Sequence, residues 1–246
     1  VATKIQKLTS KITQVGRLSP ALHRAMFDLF KRYYEDVEFT RFEKDLSEKT
    51  HVFLFYEKRS KDLVGFSTIY RKRMSDIAPG LFLFSGDTVL REDCWGSKIL
   101  QQTFSRYVLV SKFMTPHQPL YWMLMSKGFK TYMMARMNFR RSYPNHKRTT
   151  PPLFQRVLDR YYGKKFGDAY DSKSGLITFQ KSLGAVKGGF ADPTERQLED
   201  ADIRYFLKRN PEYRQGVELA CVTEIQFSDF AGLIPKFFLK RRKKRT

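Results

Sequence analysis

Cysteine and tryptophan occur only twice each in this 246-residue sequence, acids are few beside bases, and long apolar runs are missing. Each shortage excludes something. Two cysteines, Cys94 and Cys221, make neither a disulfide framework nor a metal site, so no metal ligand is expected. No apolar run approaches the roughly 18 residues that a membrane-spanning helix needs. The first 20 residues contain no apolar stretch of the signal-peptide kind, so a cytoplasmic protein is expected, with a peripheral seat at the inner membrane face as a variant. What is abundant is apolar and aromatic: the hydrophobic fraction is 41% and the chain holds 22 Phe, enough for a substantial core and against disorder throughout. There is no internal repeat.

The shortage of acid is local as well as global. Lys plus Arg number 46 against 25 Asp plus Glu, a formal net charge of +21. Residues 127–166 hold 11 bases and one acid, Asp159, and the tail 236–246 adds seven bases and no acid. Residues 167–235 are instead net acidic, with 8 bases and 11 acids. Such segregation implies an acidic partner: a nucleic acid, an anionic membrane, an acidic carrier protein or a phosphorylated cofactor.

Periodicity gives an element order. KITQVGRL (11–18) reads as a short strand, and Ser19-Pro20 as the cap and first turn of a helix whose Leu22, Met26, Leu29 and Tyr33 share one face. Residues 40–49 read as a second helix, 51–58 and 63–73 as an antiparallel hairpin, and 80–90 as a further strand. A helix over 97–113, an interior strand over 119–126 and a helix over 127–139 follow. YPNHKRTTPP (143–152) is a break. Beyond it come a basic helix LFQRVLDRYYGKK (153–165), candidate strands at 176–182 and 216–225, and one helix over 194–209 between them.

Where strand 80–90 hands over to helix 97–113 the sequence reads Arg91-Glu-Asp-Cys94-Trp-Gly96. That spacing resembles the Gln/Arg-x-x-Gly-x-Gly/Ala turn of the GNAT acyltransferase superfamily. The element order and YWMLMSKGFK (121–130), with its Gly128-Phe129 shoulder, resemble the same family, over residues 11–139. The resemblance implies an α/β (α+β) fold: a mixed, mostly antiparallel central sheet flanked by helices, with a C-terminal extension. It divides the chain into an acyl-donor-binding core, 1–145, a region 146–235 that completes the sheet or forms a smaller lobe, and the basic tail 236–246. Cys94 departs from the family's glycine, and a small residue is tolerated there if its φ stays negative.

The resemblance also implies a chemistry: N-acyl transfer from acyl-CoA, or from acyl-phosphopantetheine on a carrier protein, to an amine by direct attack. The donor contacts it implies are Thr88, Val89 and Leu90 for the pantetheine arm, and Arg91, Cys94, Trp95, Gly96, Ser97 and Lys98 for the pyrophosphate. The amides of Trp95 to Lys98 would face the phosphate at the head of a helix. Trp95 serves equally as packing for the helix end. Asp87 is the candidate base and Tyr132 the candidate acid for the departing thiolate, with Tyr121 and the loop residue His117 as weaker choices. Cys94 is not expected to act as a nucleophile, since no histidine lies near it in sequence. The Met- and aromatic-rich stretch 121–139 suits either core or a pocket for a fatty-acyl chain.

Two other functions fit parts of the sequence. Arg156, Arg160, Lys164 and Lys165, with Tyr161 and Tyr162, could contact a nucleic acid such as tRNA by phosphate pairing and stacking. A degenerate scaffold could instead rest on an anionic membrane through 233–246, where two Phe and a Leu precede six consecutive cations.

Overall fold

The structure is a computed structural model that describes residues 7–35, 37–179 and 192–231. The basic tail 236–246 and the candidate membrane segment 233–246 lie outside the described residues.

Five strands form the first part of one sheet: β1 (Leu8–Gln14), β2 (His51–Glu57), β3 (Leu63–Arg73), β4 (Leu81–Leu90) and β5 (Leu120–Ser126). The pairs β1–β2, β2–β3 and β3–β4 are antiparallel, whereas β4–β5 is parallel. Beyond β5 the sheet continues antiparallel into β9 (Glu218–Glu224), β8 (Leu176–Ile177) and β7 (Tyr170–Asp171), and β6 (Arg141–Tyr143) pairs with the far end of β9. This is a mixed α/β fold with a mostly antiparallel central sheet.

Side-chain alternation splits the core between the two faces of that sheet. On one face Phe53, Phe55, Leu83, Trp122 and Leu124 meet helices α3 (Ile99–Met114), α4 (Phe129–Asn138) and α7 (Ala201–Arg209). On the other, Phe82, Tyr121 and Met123 meet α5 (Pro152–Phe166). Further along that face, Val52, Leu54 and Phe66 meet α1 (Pro20–Phe30) and α2 (Phe39–Ser47). Many of these aromatics are wholly buried, each contributing roughly 1.5–3 kcal/mol against exposure.

Local chemistry sets the boundaries. Ser19 caps α1 by accepting from the Leu22 amide at 3.3 Å, with Pro20 in the first turn. The first strand runs earlier than its sequence suggests, over 8–14, because Val15–Arg17 turn as a 3-10 helix that buries Val15. The helix expected over 194–209 is two helices, since it contains two caps. Thr194 and Gln197 form a capping box for α6 (Glu195–Leu198), and Asp200 accepts from the amides of Asp202 and Ile203 to start α7. Short β6 lies just before the expected break, placed by its ladder to β9 and not by any local pattern.

Candidate active site

Two departures from regular pairing build a cavity in the sheet. The β4–β5 ladder holds only from Leu81–Phe84 against Leu120–Met123, after which β5 stays with β9 and the strands separate. On its other side β4 carries a bulge: Ser67 pairs with Thr88 and Ile69 with Ser85, so Gly86 and Asp87 together face Thr68. Gly86 is required there. A Cβ would collide with the Thr68 hydroxyl and lie 2.8 Å from Cε of Lys49, so glycine lets Lys49 lie across the bulge. Trp122 reaches over the gap and donates from Nε1 to Oγ of Ser85 at 2.8 Å.

The resulting cavity, about 730 Å³, is lined from both faces of the sheet: Leu100, Phe104 and Met134 on the α3–α4 side, Arg41, Lys49 and Lys165 on the α2–α5 side. It is a passage through the gap. Asp87, Tyr34, Lys127 and Glu218 line it as well.

Glu218 begins β9 and is 3% exposed. Burial raises its carboxyl to about 6, although the Lys127 ammonium, 3.4 Å away, opposes that shift. Asp87 is half-buried, and the protein around it raises its carboxyl too, against the pull of Lys49 and, more weakly, Lys127. Tyr34 is pushed up to about 12 by burial and then by the charges of Asp87 and Glu218. Its hydroxyl therefore stays protonated beside two carboxylates. Lys127 acts electrostatically on both acids, which places all four groups around one space.

The turn after β4 differs from its expected form in detail. Cys94 is buried among core residues and Arg91–Cys94 has entered a 3-10 turn, so the thiol faces inward and leaves the phosphate side unobstructed. Burial raises that thiol to about 11, which makes it inert as a nucleophile. Gly96 takes φ +81°, where other residues are strained, and nothing lies within 4 Å of its missing Cβ. The amides of Trp95 and Ser97 are committed inside the turn, to the carbonyls of Glu92 and Cys94 at 3.0 and 3.2 Å. The outward amides are instead those of the first turn of α3, behind Lys98 as its N-cap. Ser97 Oγ is buried there without a partner. Arg91 is held by Asp93, at 2.6 Å from Nε, with Glu57 nearby. Trp95 is 64% exposed and does not pack the helix end; its indole donates to the Leu90 carbonyl at 2.7 Å.

The other expected residues divide. Thr88 lines the passage and shares a 2.7 Å hydrogen bond with Ser67, whereas Val89 is buried against α1 and α2. Tyr132 lies outside the cavity lining. Thr131, Met134 and Asn138 form the cavity face of α4, and Tyr132, one position round, packs on Phe206 of α7 and donates to the Pro144 carbonyl at 3.0 Å. Tyr121 sits in the core beneath α5, and His117 is exposed beyond the end of α3. Tyr34, Lys127 and Glu218 were not singled out from sequence. The one signal for Glu218 was a lone acid in the apolar run GVELACV.

Among the described residues, no group of three or more His, Cys, Asp or Glu could hold a metal, and no helix is long and apolar enough to cross a membrane.

No family model and no curated protein matches the sequence. Among solved structures, the chain is similar to ElaA of Escherichia coli, at 17% identity and a TM-score of 0.38, over 57% of this chain and 95% of that one. It is similar to an acyl-CoA N-acyltransferase from Pseudomonas aeruginosa at 13% identity and TM-score 0.42, over 57% and 94%. A GNAT family acetyltransferase from Elizabethkingia anophelis, with acetyl-CoA bound, is matched at 10% identity and TM-score 0.39, over 89% and 98%. Scores this low carry no residue role, donor or acceptor to this chain, and the strand order has to speak for itself. An antiparallel run β1 to β4, a parallel β4–β5 pair that parts after four residue pairs, and a turn from β4 into α3 give the chain, at the level of fold, the architecture of the GNAT superfamily.

Proposed function

We propose that the protein transfers an acyl group from a thioester, on coenzyme A or on a carrier protein's phosphopantetheine, directly to an amine inside the β4–β5 gap. The observation that carries this is Glu218: a buried carboxyl near pH 6, beside Asp87 and Tyr34, in a passage open to both faces of the sheet.

The donor fits what the gap offers. Beyond Phe84 the β5-facing edge of β4 has no strand partner, so the backbone of residues 85–90 can bond an extended pantetheine arm as a strand would. The first-turn amides of α3, with the unpaired Ser97 hydroxyl, suit the pyrophosphate, and Arg91 is less available because Asp93 holds it. The thioester supplies an activated acyl carbon when bound. Glu218 takes the proton that the attacking amine loses as its nitrogen bonds to that carbon. Its raised carboxyl is still ionised at neutral pH yet basic enough to accept a proton. Asp87 holds the amine on the same side, and Tyr34, kept neutral, donates to the sulfur as the carbon–sulfur bond breaks. Tyr34 thus takes the role that sequence gave to Tyr132.

The nucleic-acid reading is weaker on the geometry. Tyr161 and Tyr162 are core residues and offer no stacking surface, Lys164 pairs with Asp76, and Arg160 donates to the Ile77 carbonyl.

The test is thiol release from an acyl-CoA series, acetyl to dodecanoyl, with a panel of amines, alongside melting shifts with each donor. Turnover that falls by about 10²–10⁴-fold in Glu218→Gln, with the donor-induced melting shift intact, is the expected result. Absence of both turnover and melting shift with every donor, including an acylated carrier protein, would overturn the proposal.

A further inference from the structure

A second cavity of about 400 Å³ opens beside the passage on the α2–α5 side and shares Glu48, Lys49 and Lys165 with it. Its other walls are Tyr70 of β3, Met74 just beyond that strand, and Tyr161 and Lys164 of α5. Three lysines thus face one carboxylate, and Lys164 is already paired with Asp76 outside the lobe. Lys165 has no carboxylate within ion-pair distance among the described residues. Its ammonium lies instead over the rings of Phe84 and Phe166, 5.1 and 5.5 Å from their centroids.

The floor of the lobe is unusual for a buried tyrosine. Tyr161 is 2% exposed, its ring stacked on Phe82 at 6.0 Å and set edge-on to Tyr162 at 5.1 Å. Neighbouring buried tyrosines satisfy their hydroxyls: Tyr162 donates to the Cys221 carbonyl at 3.0 Å and Tyr170 to Asp159 at 2.8 Å. The Tyr161 hydroxyl has no such partner among the described residues, and neither has that of Tyr70 on the same wall. A buried hydroxyl left unpaired is costly unless something else pairs with it.

The geometry points to an oxyanion subsite: the amine acceptor carries a carboxylate or a phosphate, received by the Tyr161 and Tyr70 hydroxyls as donors and by Lys165 and Lys49 as cations. Lys49 connects the two spaces. It lies across the Gly86–Asp87 bulge and also lines the lobe, so the acidic group would sit one lysine away from the carboxylates that hold and deprotonate the amine. The acceptor is then an amino acid or an aminoalkyl phosphate, zwitterionic in the sense of the site: acids face its nitrogen and bases face its oxygens. For its amine this rests on the transfer reading above; for its anion it rests on the lobe alone.

The experiment pairs amines that differ only by the acidic group, 4-aminobutyrate against butylamine and phosphoethanolamine against ethanolamine. Each is titrated calorimetrically into the full chain and then assayed with an acyl-CoA. The acidic member of at least one pair is expected to bind at least tenfold tighter than its neutral partner. Tyr161→Phe, which keeps the ring and removes only the hydroxyl, should weaken that binding about tenfold, the scale of one hydrogen bond to a charged group. Lys165→Gln should do the same, and neither should change binding of the neutral amine. The pair that responds tells carboxylate from phosphate. Equal binding within both pairs, or variants that leave binding unchanged, would overturn the subsite. Selective binding without acyl product would leave the subsite standing and remove the transferase reading. Equal acylation of acidic and neutral amines would do the reverse.

Discussion

Strand β4 carries two irregular segments within a dozen residues, the Gly86–Asp87 bulge and the Arg91–Lys98 turn, and they are built in opposite ways. In the turn the polar groups find one another: Arg91 grips Asp93, the amides of Trp95 and Ser97 close on carbonyls inside the turn, and the Trp95 indole holds Leu90. At the bulge they are kept under strain of charge. Burial raises both Asp87 and Glu218, and two lysines only partly relieve it. The turn is the part that resembles a motif, but the bulge and the strand gap beside it hold the groups with unfinished chemistry. A segment whose bonds are satisfied positions a ligand; one whose charges are not satisfied can act on it.

The sharpest way to test that contrast is pH. The kcat/KM of the wild type should rise through an apparent pKa near 6 as Glu218 ionises, and a pH–rate profile in Glu218→Gln should lose that limb with most of the activity. Stability should move the other way. The folded carboxyl titrates near 6 and the unfolded one near 4.5, so between those values the folded state binds more protons, and stability rises as pH falls through 6. Above pH 6 the buried charge therefore costs about 2 kcal/mol, partly offset by Lys127. Urea unfolding at pH 8 should find Glu218→Gln as stable as the wild type or more so, with the difference shrinking at pH 5. A variant equally destabilised at both would mean that Glu218 is merely structural.

A smaller effect is expected at Gly86. Alanine there meets Thr68 and Lys49 and should cost about 1–3 kcal/mol by denaturant unfolding, while also displacing Lys49 from the bulge. The smallest concerns the turn. Cys94→Ala removes only a buried sulfur, at a cost of about 1 kcal/mol, and should leave the donor-induced melting shift within a factor of two. A donor shift abolished by Cys94→Ala would show that position 94 faces the ligand after all and would erase the contrast between the two segments.

Much of the frame was legible before any coordinates. Ser19-Pro20, the alternating apolar strands 51–57 and 63–73, and the strand–turn–helix around Gly96 declare themselves through rules that act over a few residues. Asp87 was found the same way, as an acid just after a glycine at the end of an apolar strand. Tyr132 shows where such rules fail: one helical position decides whether a side chain faces the cavity or the next helix, and only the packing of α7 against α4 settles it. Position 94 is similar. Sequence marks the cysteine as a substitution in a glycine motif, but its thiol turns inward because the chain tightens to a 3-10 turn there.

The sequence by itself determined the mixed sheet, the helix caps, the phosphate-type turn and the excess of positive charge, since all of these follow from short-range periodicity and composition. Only the tertiary structure decided that Glu218, more than ninety residues beyond β5, stands at the mouth of the β4–β5 gap with Tyr34 and Asp87. Strand pairing across that distance in the chain is set by which edges and faces are left to be buried, and the same burial changes an ordinary glutamate into a base suited to neutral pH.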